Sequence, residues 1–227
     1  MLEHVYERVS MARYLSNVVI ATDDERIRDE ARSFGALVQM TREDHLSGTD
    51  RVAEVASSFP QAELVVNIQG DEPLIDPGAI DAAVLPLLDD PALPMGTLKK
   101  RIEDPREVTD PNVVKVVTDH FGNAIYFSRS AIPHTRDVGN NCTHFKHTGL
   151  YVYRREFLLG YSELPVGPLE KAEKLEQLRA LENGFSIRVV ETDYESMGVD
   201  TPADLERVQT MLRAAQSAVS KSGVRDA

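Results

Sequence analysis

The chain has 227 residues, of which 42% are hydrophobic and 27% are charged. These are the proportions of a globular protein with a sizeable core, and they exclude disordered, collagen-like and coiled-coil classes. Its 25 Lys and Arg against 37 Asp and Glu give a net charge of −12, which repels nucleic-acid phosphates and anionic lipid. An anionic substrate therefore requires a local basic patch or a divalent cation.

Cysteine content and apolar patterning predict a cytoplasmic protein. The single cysteine, Cys142, leaves no partner for an intramolecular disulfide. No apolar run approaches the ~18 residues that span a bilayer. The stretch after Met1 has neither the basic segment nor the apolar segment of a signal peptide. We therefore expect no membrane segment.

The first half of the chain alternates strand-like apolar runs with stretches of helical period. Strands are predicted over residues 18–21, 36–40 and 64–68. The helices between them are marked by Ile27, Ala31 and Phe34, and then by Val52, Val55, Ala56 and Phe59. This alternation is typical of a mostly parallel sheet covered by helices on both faces.

The second half is less regular. Strands are predicted over 113–117, 124–127, 149–153 and 187–190. One helical stripe contains Leu169, Ala172, Leu175, Leu178 and Leu181, and a last amphipathic helix contains Leu205, Val208 and Leu212. No linker separates the halves, so we predict one domain over 1–213 with a substrate-binding insertion around 110–165 and a flexible tail over 214–227.

Two acidic segments are candidates for chemistry. Asp71 lies within residues 69–73, directly after a predicted strand, and acidic groups at that edge face the crevice where open α/β sheets bind ligands. A plain β-turn is the alternative. Residues 201–204 are explained by helix initiation, which leaves Asp200 unaccounted for. Because Mg²⁺ prefers one or two carboxylates with substrate phosphates, Asp71 and Asp200 are a candidate pair.

Residues 47–51, Ser-Gly-Thr-Asp-Arg, precede a predicted helix. The two standard glycine-rich phosphate loops are absent from the sequence. Small residues ahead of a helix expose backbone N–H groups that suit a base edge or a phosphate, and Arg51 adds a fixed cation. Helix capping is the alternative interpretation.

Polar side chains of the second half suit a carboxylate or sugar hydroxyls. His144, Lys146 and His147 lie before a strand that contains Tyr151. A metal cluster is disfavoured because His144 and His147 face opposite sides of a strand. The predicted helix after Pro168 has one polar face, for which solvation is the alternative; this face is formed by Glu173, Glu176 and Gln177.

The order of the motifs is more informative than any one of them. In chain order they are VIATDD at 19–24, DHLSGTDR at 44–51, NIQGDEP at 67–73, DPNVVKVV at 110–117, YFSR at 126–129 with IP at 132–133, KHTGLY at 146–151, PLE and LEQLR within 168–179, and GVDTP at 198–202. Together they resemble the 3-deoxy-manno-octulosonate (Kdo) cytidylyltransferase family, the CMP-Kdo synthetases. The resemblance runs from about Met1 to Leu212.

The resemblance implies an α/β fold of the nucleotide-diphospho-sugar transferase (GT-A-like) type, a three-layer sandwich with a mixed, mostly parallel sheet. The implied protein is a homodimer that converts CTP and Kdo into CMP-Kdo and pyrophosphate for lipopolysaccharide biosynthesis. In that reaction the anomeric hydroxyl of Kdo attacks the α-phosphorus in line while Mg²⁺ neutralises the triphosphate. In this interpretation the insertion around 110–165 serves sugar binding and dimerisation.

The resemblance also implies roles for individual residues. Asp71 and Asp200 are the catalytic metal ligands. The residues that border cytosine and ribose are Ser47, Gly48, Arg51 and Gln69. The residues that line the sugar pocket are Arg129, Lys146, His147, Tyr151, Glu173 and Gln177, with the cations facing the Kdo carboxylate.

The sequence departs from the family at its start. Family members begin with a strand and a loop of the type Pro-Ala-Arg-x-x-Ser-x-Arg-Leu-Pro-Gly-Lys that holds the triphosphate, and Met1 aligns just after that loop. We expect a reduced catalytic rate from this chain and an unpaired edge on a neighbouring strand. A start site placed too far downstream and a non-catalytic paralogue are both open explanations.

The sugar substrate also has an alternative. A sialic-acid-type nonulosonate is a second acidic sugar that such a cytidylyltransferase accepts. The LEQLR and KHTG segments favour Kdo.

Overall fold

A computed structural model describes residues 1–45, 47–137, 142–199 and 201–222, of which 214–222 are described by their backbone alone. The strands are β1 (Val19–Thr22), β2 (Leu37–Met40), β3 (Leu64–Asn67), β4 (Met95–Arg101), β5 (Lys115–Thr118), β6 (Ala124–Ser128), β7 (Phe145–Arg154) and β8 (Ile187–Glu191). The helices are α1 (Leu2–Val9), α2 (Glu25–Ser33), α3 (Gly48–Ser57), α4 (Pro77–Asp89), α5 (Pro105–Thr109), α6 (Arg155–Leu159), α7 (Pro168–Glu173), α8 (Gln177–Glu182) and α9 (Pro202–Ser222). None of the helices in these ranges is long and apolar enough to cross a membrane.

The strands form two sheets. β1 and β2 pair in parallel as a two-stranded sheet. The six-stranded sheet has the order β6-β5-β7-β4-β8, and β3 pairs with the second half of β7. Because β3, β4 and β5 are each antiparallel to β7 and β8 is parallel to β4, these four strands run the same way. The predicted mixed sheet is confirmed.

Helices cover both faces of the larger sheet, as the alternation predicted. Along β3, Leu64 and Val66 contact a core cluster built largely from α1 and α4, whereas Val65 contacts a second cluster with residues of α3, α6 and α8. Successive strand residues point to opposite faces, so each cluster lies between one face of the sheet and the helices that cover it. The architecture is a three-layer α/β sandwich.

Capping chemistry fixes where several helices begin. Asp24 accepts the backbone N–H of Arg26 at 2.8 Å at the start of α2, and Asp104 does the same for α5. Ser47 accepts the N–H of Asp50 at 3.2 Å at the start of α3. The helix starts therefore follow the usual preference for short polar side chains.

The structure corrects the prediction of one helix over the leucine stripe. α7 ends at Glu173 and is followed by Lys174, whose backbone is left-handed with φ 54°, and α8 begins at Gln177. Glu176, between them, accepts the Thr49 hydroxyl at 2.7 Å through its carboxylate and the Tyr161 hydroxyl at 2.6 Å through its carbonyl. These contacts fix Glu176 between the two helices. Glu173, Glu176 and Gln177 therefore do not form one face of a single helix, contrary to the prediction from sequence.

The segment around 110–165 contributes β5, β6 and β7 to the main sheet. Its role as an insertion stays a prediction. Of the predicted tail, the backbone is helical to Ser222, and residues 223–227 lie outside the described residues.

Candidate functional site

A cleft of about 730 Å³ lies between the two sheets. Residues 18–21 line one side and residues 64–69 the other, with apolar side chains of α1, α3 and α4 above and below. Within the described chain, β1 pairs only with β2 and β3 only with β7, so each strand has an unpaired edge. The expected open strand edge is present.

Three of the four predicted nucleotide-binding residues line this cleft, namely Gly48, Arg51 and Gln69. The guanidinium of Arg51 is 2.9 Å from the Asp23 carboxylate and also bonds the Thr41 hydroxyl, which fixes it beside the end of β1. Ser47 is occupied by capping of α3. The helix-capping alternative therefore accounts for Ser47, while the other three residues face one opening.

Asp71 follows Gln69 and Gly70, which line the cleft. The backbone N–H of Val199 donates to the Asp71 carbonyl at 3.0 Å, and a β-carbon placed on Gly198 would lie 3.7 Å from Asp71 Oδ2. The chain before residue 200 thus runs against Asp71. Asp200 itself lies outside the described residues.

The Asp71 carboxylate fits a divalent cation. It is half-buried, and no group of the described ranges hydrogen-bonds or ion-pairs with it. Among those residues no three acidic, histidine or cysteine side chains cluster as a metal site. A carboxylate without a partner, at the mouth of a cleft, suits Mg²⁺ bound by few protein ligands and by substrate phosphate oxygens.

Sequence reasoning missed the role of Glu72. This carboxylate is buried and accepts the Ser196 hydroxyl at 2.6 Å and the Tyr194 hydroxyl at 3.1 Å. Its partners are more than 120 positions away in sequence, so no local pattern indicates them. Within the described part of the chain, the acidic turn therefore has one carboxylate with hydrogen-bond partners, Glu72, and one without, Asp71.

Arg129 and Glu173, two predicted sugar-pocket residues, hold each other. Glu173 accepts the Ser128 hydroxyl at 2.6 Å and the Arg129 backbone N–H at 2.9 Å. Burial alone would raise the pKa of Glu173, but these hydrogen bonds outweigh it and lower the pKa. Glu173 is therefore an ionised acceptor at neutral pH, and it anchors the residues after β6.

His147 and Tyr151 continue this region along β7. The His147 ring lies 5.1 Å from the Phe127 ring and 5.3 Å from the Tyr151 ring, between centroids. Its Nε2 is 2.9 Å from the Thr97 hydroxyl, which itself donates to the Leu150 carbonyl at 2.7 Å. Burial lowers the pKa of His147 to about 3. His147 is thus a neutral donor to Thr97 rather than a cation facing a carboxylate.

Lys146 faces the opposite side of β7, because adjacent strand residues alternate. Its Nζ lies 2.9 Å from Glu107 Oε1 and 2.6 Å from Glu195 Oε1, and Glu195 also pairs with Lys100 at 2.6 Å. Burial would lower the pKa of Lys146, but these carboxylates raise it. Lys146 therefore lies on the other side of β7 from His147. Glu107 and Glu195 compensate its positive charge.

Gln177 has an unsatisfied donor. The residue is 3% exposed, and its side-chain nitrogen is buried without a hydrogen-bond partner among the described residues. Such an orphaned donor costs free energy unless a ligand or a water accepts from it. Gln177 begins α8, which packs on β6, the strand that leads to Arg129.

The family model described as Cytidylyltransferase matches residues 1–191. The chain belongs to the cytidylyltransferase family.

Individual proteins that are similar to this chain support the cytidylyltransferase assignment. The 3-deoxy-manno-octulosonate cytidylyltransferase of Solibacter usitatus is 71% identical over 214 residues, which is 94% of this chain and 84% of that protein. A solved structure of CMP:2-keto-3-deoxy-manno-octonic acid synthetase complexed with CTP is 42% identical, with a TM-score of 0.90 over 94% of this chain and 88% of the other.

A more distant structure shows the fold alone. The 4-diphosphocytidyl-2C-methyl-D-erythritol synthase of Anaerococcus prevotii is 14% identical, with a TM-score of 0.62 over 93% of this cytidylyltransferase and 88% of the other chain. The predicted nucleotidyltransferase fold of the GT-A-like type is thereby confirmed.

Proposed function

We propose that this cytidylyltransferase transfers the cytidylyl group of CTP to Kdo, giving CMP-Kdo and pyrophosphate. The observation that carries the proposal is the Asp71 carboxylate, which has no partner among the described residues and lies beside a cleft lined by Gly48, Arg51 and Gln69. The names of the similar proteins, and the CTP bound to the solved synthetase, support the same pair of substrates.

The nucleotide end of the site is the cleft between β1 and β3. Gly48 and Arg51, in the first turn of α3, border the base and ribose, where backbone N–H groups at a helix start favour electron-rich atoms. The Arg51–Asp23 pair keeps the guanidinium in one orientation. Gln69 is exposed at the opening, and its amide offers both a donor and an acceptor to cytosine.

Asp71 and Asp200 would hold the divalent cation in this proposal. Mg²⁺, when bound, neutralises triphosphate charge and lowers the pKa of the attacking hydroxyl. The chain itself contributes the position of Asp71, through the bond from the Val199 N–H. An enzyme of net charge −12 needs this compensation more than a basic one does.

The sugar end of the site lies across β6, β7 and the α7–α8 turn. Arg129 offers the guanidinium for the Kdo carboxylate, because Nε and Nη1 donate to backbone carbonyls, those of Glu173 at 2.8 Å and Pro111 at 2.9 Å, and not to a carboxylate. Gln177 offers its orphaned donor to a sugar hydroxyl. Glu173, His147 and Tyr151 shape the wall, and Lys146 joins it only if it leaves Glu107 and Glu195.

The decisive assay is magnesium-dependent pyrophosphate release from CTP with Kdo as acceptor. We expect turnover with Kdo, none without sugar, and a lower kcat/KM with N-acetylneuraminate. Preference for the nonulosonate would overturn the sugar assignment. Tight CTP binding with no turnover on any acid sugar would favour the non-catalytic paralogue.

We further propose a homodimer that acts in the cytoplasm and feeds lipopolysaccharide assembly. The family resemblance supports each of these points. Sedimentation equilibrium of the purified chain tests the dimer, and a monomer at all concentrations would contradict it.

A further inference from the structure

Asp71 and Glu72 are neighbours in one turn but have opposite surroundings. Glu72 is 8% exposed, and each of its carboxylate oxygens accepts a hydroxyl, Oε1 from Ser196 at 2.6 Å and Oε2 from Tyr194 at 3.1 Å. Asp71 has no such partner within the described ranges. One carboxylate is therefore committed to the protein and the other is available to a ligand.

The two hydroxyls belong to the segment 192–199, which forms neither helix nor strand. Its main chain is held at the two ends, by the Thr192 N–H that donates to the Lys99 carbonyl at 2.9 Å and by the Val199 N–H that donates to the Asp71 carbonyl. Between these ends side-chain contacts hold the segment over the turn. Each of the two hydroxyls donates to a different oxygen of the Glu72 carboxylate. A buried carboxylate that lost these donors would also be left unsatisfied. Glu72 is thus the principal polar anchor of Tyr194 and Ser196.

The same segment ends against Asp71. The N–H of Val199 donates to the Asp71 carbonyl at 3.0 Å, and Gly198 lies beside Asp71 Oδ2. The turn and the segment are consequently joined at three points, two through Glu72 and one through Asp71. Displacement of the first two would move the third.

We propose that Glu72 is a positioning residue for Asp71. By holding Tyr194 and Ser196, it keeps Gly198 and Val199 against Asp71 and so fixes the direction in which the Asp71 carboxylate meets a divalent cation. This rests on the proposed role of Asp71 as a cation ligand. It assigns a second, non-ligating function to the acidic turn.

The test measures Mn²⁺ affinity by electron paramagnetic resonance on the full chain with saturating CTP. The variants are Glu72→Gln and the double variant Tyr194→Phe with Ser196→Ala, which leaves Glu72 in place and removes both donors. Glu195→Gln is the matched control, because its carboxylate lies on the same segment but pairs with Lys100 and Lys146. We expect both test variants to bind Mn²⁺ about tenfold more weakly and the control to bind it normally.

Thermal unfolding separates positioning from general stability. A lowered Tm with unchanged Mn²⁺ affinity in the double variant would overturn the proposal, and so would equal weakening in Glu195→Gln. Asp71→Asn distinguishes this failure from failure of the proposed function. If Asp71→Asn also leaves Mn²⁺ affinity unchanged, the cation role of Asp71 is wrong; if it abolishes binding while the double variant does not, only the positioning role is wrong.

Discussion

The backbone N–H of Arg129 donates to Oε2 of Glu173 at 2.9 Å, and the Nε of the same arginine donates to the Glu173 carbonyl at 2.8 Å. Each residue therefore sets the position of the other. A substitution at either one changes two elements of the proposed sugar pocket. The two residues act as one unit.

We expect the effects of Arg129→Gln and Glu173→Gln on kcat/KM for Kdo to be non-additive. Contacting residues in one hydrogen-bond network typically couple by about 0.5–3 kcal/mol. A double-mutant cycle measures this coupling, and KM for CTP serves as the internal control because neither residue lines the nucleotide cleft. Additive losses would show that the two residues act independently.

Asp71→Asn should reduce turnover by at least about two orders of magnitude, as loss of a charge-stabilising group does. The half-buried side chain has no protein partner to lose among the described residues, so the free energy of unfolding should change by no more than about 0.5 kcal/mol. Steady-state kinetics and urea denaturation check both parts. Asp76→Asn, an exposed residue of the same loop, is the control and should retain activity. Wild-type magnesium dependence in Asp71→Asn would refute the role.

His147 should make folding stability depend on pH below about 6.5. Burial lowers the pKa of His147 from 6.5 to about 3 in the folded protein, so between these values the unfolded chain binds more protons than the folded chain. Stability is then lost as the pH falls, by at most about 1.4 kcal/mol per pH unit. Urea denaturation from pH 7 to pH 4.5 measures the slope. His147→Gln should flatten it, and an identical slope in that variant would contradict the assignment.

Lys115 should stabilise the fold although its side chain is fully buried. Its Nζ donates to the carbonyls of Asp110 at 2.8 Å and Arg129 at 2.6 Å, and also to that of Val113. Lys115→Met leaves these carbonyls without their donor, so we expect a loss of about 3 kcal/mol. Urea denaturation measures the loss, with the exposed Lys171→Met as a control. Equal stability of the two variants would contradict this role.

The open edges of β1 and β3 should be visible in hydrogen exchange. β4 is paired on both sides, with β7 and β8, whereas β1 and β3 each have one partner in the described chain. Backbone amides without a ladder partner exchange faster. Mass spectrometry of peptides covering Val19–Thr22 and Leu64–Asn67 should therefore show faster exchange than peptides of Met95–Arg101. Equal protection would indicate that the cleft is closed in solution.

Apolar runs predicted the strands well where packing is apolar on both faces. β3 and β8 lie where their runs predicted them. β4 was missed because Met-Gly-Thr-Leu-Lys-Lys-Arg has no apolar run, although its first four residues are buried. Each of its lysines has a separate partner: Lys99 lies over the Phe145 ring, and Lys100 forms an ion pair with Glu195. These are tertiary contacts that no local pattern contains.

The candidate site also has residues that a local pattern indicates and properties that depend on tertiary contacts. Gly48, Arg51 and Asp71 became candidates from a predicted helix start and a predicted strand end, and the family resemblance added Gln69. The neutrality of His147 and the pairing of Lys146 could not, because they depend on Thr97 and on two distant glutamates. Residue type predicts which chemistry is possible, and three-dimensional neighbours decide the protonation and the pairing.

The division into two sheets has a consequence for how the molecule unfolds. Within the described residues no main-chain hydrogen bond connects β1 or β2 to the larger sheet. The Arg51–Asp23 ion pair connects the end of β1 to helix α3 through side chains. A region attached in this way can melt separately, as a foldon of lower stability. Calorimetry of this chain should then give a van't Hoff enthalpy smaller than the calorimetric enthalpy, and nucleotide that bridges both sheets should restore cooperativity.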